Sequence, residues 1–170
     1  MTMLIRKFSG VLLLSVSLTS ILLATDSRPD VLQIVTKNDA TAILGEPIKE
    51  PSARSGDGAD GYYSKCNYYT VRRAKSLVVR LQLPGPNAIP PQTELDLIGA
   101  ANGAMEKVTG VGDAAQMLVT TGDSGFASRV LMLYVVKGNA FLTIGLAGFA
   151  DDAIALEKAK TIAQKVIERL

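Results

Sequence analysis

The stretch Tyr62-Tyr63-Ser64-Lys65-Cys66-Asn67-Tyr68-Tyr69-Thr70-Val71, followed by Arg72-Arg73-Ala74-Lys75 and then Ser76-Leu77-Val78-Val79-Arg80-Leu81-Gln82-Leu83, decides the fold. It reads as two strands around a basic turn. Pairing Val71 with Ser76, so that paired numbers sum to 147, tests the reading on paper. One face then collects Ser64, Cys66, Tyr68 and Thr70 opposite Leu83, Leu81, Val79 and Leu77. The other collects Lys65, Asn67 and Tyr69 opposite Gln82, Arg80 and Val78. Apolar and polar sets separate by face, as a half-buried antiparallel pair requires.

Downstream, Pro84-Gly85-Pro86 and Pro90-Pro91 bracket a loop, and Gln92–Val108 reads as a helix. Leu95, Ile98, Ala101, Met105 and Val108 recur near one side of it. Three strands follow, Ala114–Thr121, Arg129–Lys137 and Ala140–Ala147, with Lys137-Gly138-Asn139-Ala140 as a tight turn between the last two. Arg129–Lys137 is apolar on both faces. A final helix runs from an Asp151 or Asp152 cap to Leu170, with Leu156, Ala159, Ala163, Val166, Ile167 and Leu170 as its stripe.

Upstream, residues 46–61 hold Pro, Gly and polar residues, and Ser55-Gly56-Asp57-Gly58-Ala59-Asp60-Gly61 within them reads as a mobile loop, its two Asp lacking the ligand spacing of a calcium loop. Thr36 caps a short helix, with Asp39 in capping-box position and Gly45 as its stop. Residues 26–35 read as an extended lead-in. The order is therefore α-β-β-α-β-β-β-α. It predicts an α+β fold in residues 26–170, an antiparallel sheet of about five strands with helices packed mainly on one face. Without βαβαβ alternation, no Rossmann-type nucleotide site is expected.

Residues 1–25 have the pattern of an export leader. Arg6-Lys7 precedes an apolar run from Val11 to Ala24, which reads as a signal peptide or, if uncut, a signal anchor. Lipid attachment is excluded, because no Cys lies near this region. The rest of the chain is expected to work outside the cytoplasm, in the periplasm or beyond. Without Arg6 and Lys7, the 18 basic and 16 acidic residues of the chain become 16 of each. A neutral chain carries no global nucleic-acid footprint.

Composition narrows the chemistry. With no His and one Cys, the chain lacks the material for His-based triads, an internal disulfide and Cys/His metal sites. No cofactor or metal is expected. Cys66, in an exported chain, reads as a buried free thiol. Two acidic pairs, Glu94 with Asp96 and Asp151 with Asp152, have the composition of acid–base machinery. Each also sits where a helix N-terminus attracts negative charge. Gly110-Val111-Gly112-Asp113 has anion-cradle composition but precedes a strand, so it reads as a turn.

The motif order resembles a group of small exported bacterial domains, often actinobacterial lipoproteins, with no assigned function. The resemblance rests on the helix ending Leu44-Gly45, on Cys66-Asn67-Tyr68, on Val108-Thr109-Gly110-Val111-Gly112-Asp113-Ala114 and on Val136-Lys137-Gly138, and spans about residues 31–170. It implies export and supplies no catalytic residues. Two features of the group are missing here. The lipid-attachment Cys is absent, and no Cys precedes the first helix to pair with Cys66.

One surface stands out. Residues 61–93 contain Lys65, Arg72, Arg73, Lys75 and Arg80 and no acid, with four of the five Tyr in the chain. Tyr63, Lys65, Tyr69 and Arg80 share the polar face, and Arg72, Arg73 and Lys75 crowd the turn. Aromatics beside cations suit an anionic envelope component or a protein partner. Residues 94–123 carry one Lys against five acids, so internal neutralisation is the competing expectation. The favoured reading is a non-catalytic exported binding domain. A carboxylate-based enzyme on envelope sugars, or a structural subunit assembling through Arg129–Lys137, are the alternatives.

Overall fold

The computed structural model describes residues 28–72, 74–103, 105–120 and 129–170. The leader, Arg73 and the segment 121–128 lie outside the described residues. Eleven elements follow in order: α1 (Val31–Ile34), α2 (Lys37–Leu44), β1 (Ser52–Gly58), β2 (Gly61–Tyr69), β3 (Ser76–Pro84), α3 (Pro91–Asn102), β4 (Glu106–Lys107), β5 (Ala114–Thr120), β6 (Val130–Lys137), β7 (Ala140–Ala147) and α4 (Asp152–Ile167). The strands form one antiparallel sheet in the order β1-β2-β3-β7-β6-β5-β4. The fold is thus α+β, with seven strands and not about five.

The two unforeseen strands are the sheet edges. β1 is Ser-Ala-Arg-Ser-Gly-Asp-Gly, and its second half lies in the stretch expected to be a mobile loop. It pairs with β2 from Ser52↔Asn67 to Gly58↔Gly61. Nothing in its side chains favours a strand, so long-range backbone pairing overrides propensity. A short polar edge also resists pairing with other chains. β4 is two residues at the opposite edge.

β2 and β3 form the expected hairpin with a corrected register. Lys65 faces Arg80 and Tyr69 faces Ser76, so paired numbers sum to 145, not 147. The cause is local. The Val71 N–H donates to the Pro47 carbonyl, and Thr70 closes the loop through its bonds with Lys75. A shift by two preserves every face assignment, because side chains alternate with period two.

The inner face carries the main core. Cys66, Tyr68, Leu77, Val79, Leu81, Leu133, Ile144 and Leu146 pack against α1, α2 and α4. α1 replaces part of the extended lead-in: Asp30 caps one helical turn by accepting from the Leu32 N–H. Buried Ser64 receives the Val31 N–H at 2.9 Å. The capping box at Thr36 and Asp39 and the left-handed Gly45 stop are as expected. α4 is capped by Asp151 and buries Ala155, Ala159, Ile162, Ala163 and Val166. Its real stripe is rotated from the expected one, and Leu170 is exposed beyond the helix end.

α3 departs most. It stops at Asn102, and Met105 and Val108 lie outside it. It packs on the opposite face, where Leu95 meets Val136 and Phe141 with Ile98, Ala114 and Tyr134 around them. Three helices therefore cover one face and α3 covers part of the other. This explains the two-sided apolarity of β6. That strand is internal, and both faces lie under helices for part of its length.

Candidate functional site

α3 covers only the β5–β7 side of the outer face. The β1–β3 side carries no helix among the described residues, and residues paired in register share a face. Arg54 faces Lys65, and Lys65 faces Arg80. Three cations thus stand in one row across three neighbouring strands, about 10 Å from end to end at the usual strand spacing. All three are exposed. None makes a salt bridge among the described residues, although seven other cations do.

Tyr63 lies two residues from Lys65 on β2, and Tyr69 lies four residues away on the same face. Tyr69 is 44 % exposed. Ser52 and Asn67 pair in register on one side of the cation row, and Tyr63 faces Gln82 on the other. The row continues on β7 at Thr143, opposite Arg80. The structure therefore brings Tyr63, Lys65, Tyr69 and Arg80 together on one face, as expected, and adds Arg54.

The turn cations divide. Arg72 is exposed in the loop after β2. Arg73 lies outside the described residues. Lys75 does not belong to the surface. Its ammonium donates to the Leu44 carbonyl at 3.1 Å, pairs with Glu46 at 3.2 Å and lies over the Phe149 ring. It closes the C-terminal end of α2, where the helix dipole favours a cation.

Glu94, in the first turn of α3, feels the charge of Arg80. Burial pushes its carboxyl above the ordinary range, while the Arg80 charge pulls it back and Asp60 adds to the rise. Among the described residues of the acidic 94–123 segment, none forms a salt bridge with the row, and Glu94 is coupled to Arg80 through space. The row remains a line of like charges directly opposed in a sheet, an arrangement that costs stability.

Arg54 escaped sequence reading because its strand has no alternation. Its signal was the turn chemistry beside it. Asp60 precedes β2, and Gly61, its first residue, has a positive φ and ends a turn whose other arm must pair back.

Other residues that the sequence singles out have partners within the fold. Asp96 accepts from Gln92, Asp151 caps the Ile154 N–H and Asp152 pairs with Arg129. Asp57 pairs with Arg28. Asp113 accepts from the Gly138 N–H and the Lys137 ammonium, both at 2.7 Å. The Gly110–Asp113 segment and the Val136-Lys137-Gly138 turn, separate motifs in the sequence, are therefore one contact. A polar cleft of about 500 Å³ lies between α1 and the end of α4, but two of its cations, Arg28 and Lys165, are already paired with Asp57 and Asp39. Among the described residues, no three His, Cys, Asp or Glu gather as metal ligands, and no helix is long and apolar enough to cross a membrane.

The chain matches no protein-family model, and no curated protein is similar to it.

Proposed function

We propose that this protein is an exported, non-catalytic domain that binds an anionic component of the cell envelope through the open half of its outer sheet face. The Arg54–Lys65–Arg80 row carries the reading. Directly opposed like charges oppose folding. A surface that leaves three of them without a salt bridge among the described residues, beside two tyrosines, is suited to a ligand that supplies negative charge. Export rests on Arg6-Lys7 and the apolar run that follows.

The test is co-sedimentation of the full chain with isolated envelope material at increasing salt. Binding is expected to weaken with salt, since exposed charges are screened over about 8 Å at physiological ionic strength. Replacing Arg54, Lys65 and Arg80 together by Gln is expected to abolish it without loss of stability. Unchanged binding by a triple variant that is also less stable would overturn the reading and assign the charges to the fold.

A further inference from the structure

The neighbours of the cation row point to what the ligand is made of. Asn67 and Gln82 flank the row with amide groups that both donate and accept hydrogen bonds. Tyr63 offers a partly exposed ring beside Lys65. The cations repeat at the strand spacing, about 4.8 Å, comparable with the length of one sugar ring along a chain. Two of them are arginines, whose planar fork matches a carboxylate with two parallel hydrogen bonds. A bare phosphate chain would use the cations and leave both amides and the ring unused. A lipid surface would need large exposed apolar side chains among the charges; Val78, between Asn67 and Gly145 in register, is only partly exposed, and the exposed Tyr69 and Val71 lie at and beyond the far end of β2, not along the row.

From these contacts we infer that the ligand is a linear acidic polysaccharide. It would lie across β1, β2 and β3, with successive carboxylates at Arg54, Lys65 and Arg80 and a sugar ring against Tyr63. The inference rests on the anion-binding role proposed above and names its ligand class. Glu94 is the built-in competitor: from the first turn of α3 its charge acts on Arg80 through space, without a salt bridge among the described residues, and opposes an incoming anion.

The experiment measures binding of the full chain to oligogalacturonates of increasing length, with neutral dextran and inorganic polyphosphate as comparison probes. Oligogalacturonate affinity is expected to rise with length until three carboxylates are engaged, and dextran is expected not to bind. The plot of log affinity against log salt is expected to have a slope of about two to three, taking about 0.7 to 0.9 per charge from dense polyanions. Arg54→Gln, Lys65→Gln and Arg80→Gln should each weaken binding by about fivefold and lower the slope. Tyr63→Ala should weaken oligogalacturonate binding and leave polyphosphate binding and the slope unchanged. Glu94→Gln should strengthen binding. Equal binding of polyphosphate and oligogalacturonate, with no effect of Tyr63→Ala, would overturn the polysaccharide inference and leave the general anion reading standing. Failure of both polyanions to bind, with an intact fold by circular dichroism, would remove both.

Discussion

Single residues carry much of the structural logic, and glycines show it best where backbones touch. Gly112 has φ of 62°, and a Cβ there would lie 2.4 Å from Val135 Cγ1 and 2.5 Å from the Val136 carbonyl oxygen. Gly138 is also left-handed, at φ 55°, but has open space around it. Gly112→Ala is therefore expected to cost more than about 2 kcal/mol and Gly138→Ala only about 1 kcal/mol, measured by urea unfolding. Equal costs would mean that backbone conformation alone, without the close approach to β6, explains Gly112. Cys66 is the second residue-scale test. It is fully buried beside Tyr68, and burial pushes its thiol up from the ordinary value. Native protein should react slowly with a thiol reagent and unfolded protein quickly. Equal rates would place the thiol at the surface.

At the scale of elements, α2 depends on its two ends. Thr36 and Asp39 exchange hydrogen bonds at its start, and Lys165 reaches Asp39 from α4 at 2.5 Å. Burial raises the Asp39 carboxyl, but the bonds from Lys165 and Thr36 outweigh it and hold it below its ordinary value. The folded value is thus depressed relative to the unfolded one. The stabilisation is present above the ordinary carboxylate range and lost as pH falls through the lowered value. Thr36→Ala is expected to cost about 1 kcal/mol at neutral pH. Asp39→Asn should flatten the acid limb of the stability-versus-pH curve. An unchanged limb would show that the α2–α4 contact contributes nothing to acid sensitivity. The opposite end relies on Lys75, which bonds Leu44 and Glu46. The same sequence neighbourhood therefore yields one cation that serves the fold and, at Arg72, one that faces solvent.

For the whole molecule, the asymmetry of the sheet is what matters. Three helices close the inner face, while α3 closes only part of the outer one. The open remainder holds the cation row, so binding and stability should separate there. Neutralising Arg54, Lys65 and Arg80 is expected to leave stability unchanged or raise it by up to about 1 kcal/mol, because directly opposed like charges are destabilising. Thermal unfolding of the triple variant checks this, and a marked drop would return the row to the fold. Export belongs to the same scale. Alkaline phosphatase fused to the C-terminus of the full chain should be active, since that reporter works only outside the cytoplasm. An inactive, intact fusion would sink the export half of the proposal.

Local pattern by itself determined which face each residue of β2 and β3 occupies, the capping box at Thr36 and Asp39, a cap at Asp151 or Asp152 and the β6–β7 turn. These follow from periods of two and from short-range hydrogen bonds, so neighbours in sequence suffice to specify them. Four of the seven proposed binding residues, Tyr63, Lys65, Tyr69 and Arg80, were legible for that reason. Tertiary structure alone decided the rest. The exact partner of Lys65 depended on Val71 bonding Pro47, across more than twenty residues of chain. The strand status of Ser52–Gly58 depended on β2 being there to pair with it. Lys75 turned inward because α2 presents its carbonyls at that point. The side chosen by α3 depended on Phe141, Val136 and Tyr134 leaving an apolar floor on the outer face. Arg54 joined Lys65 and Arg80 only through that assembly. Backbone pairing between distant segments leaves no periodic trace in an edge strand, whose side chains bury nothing.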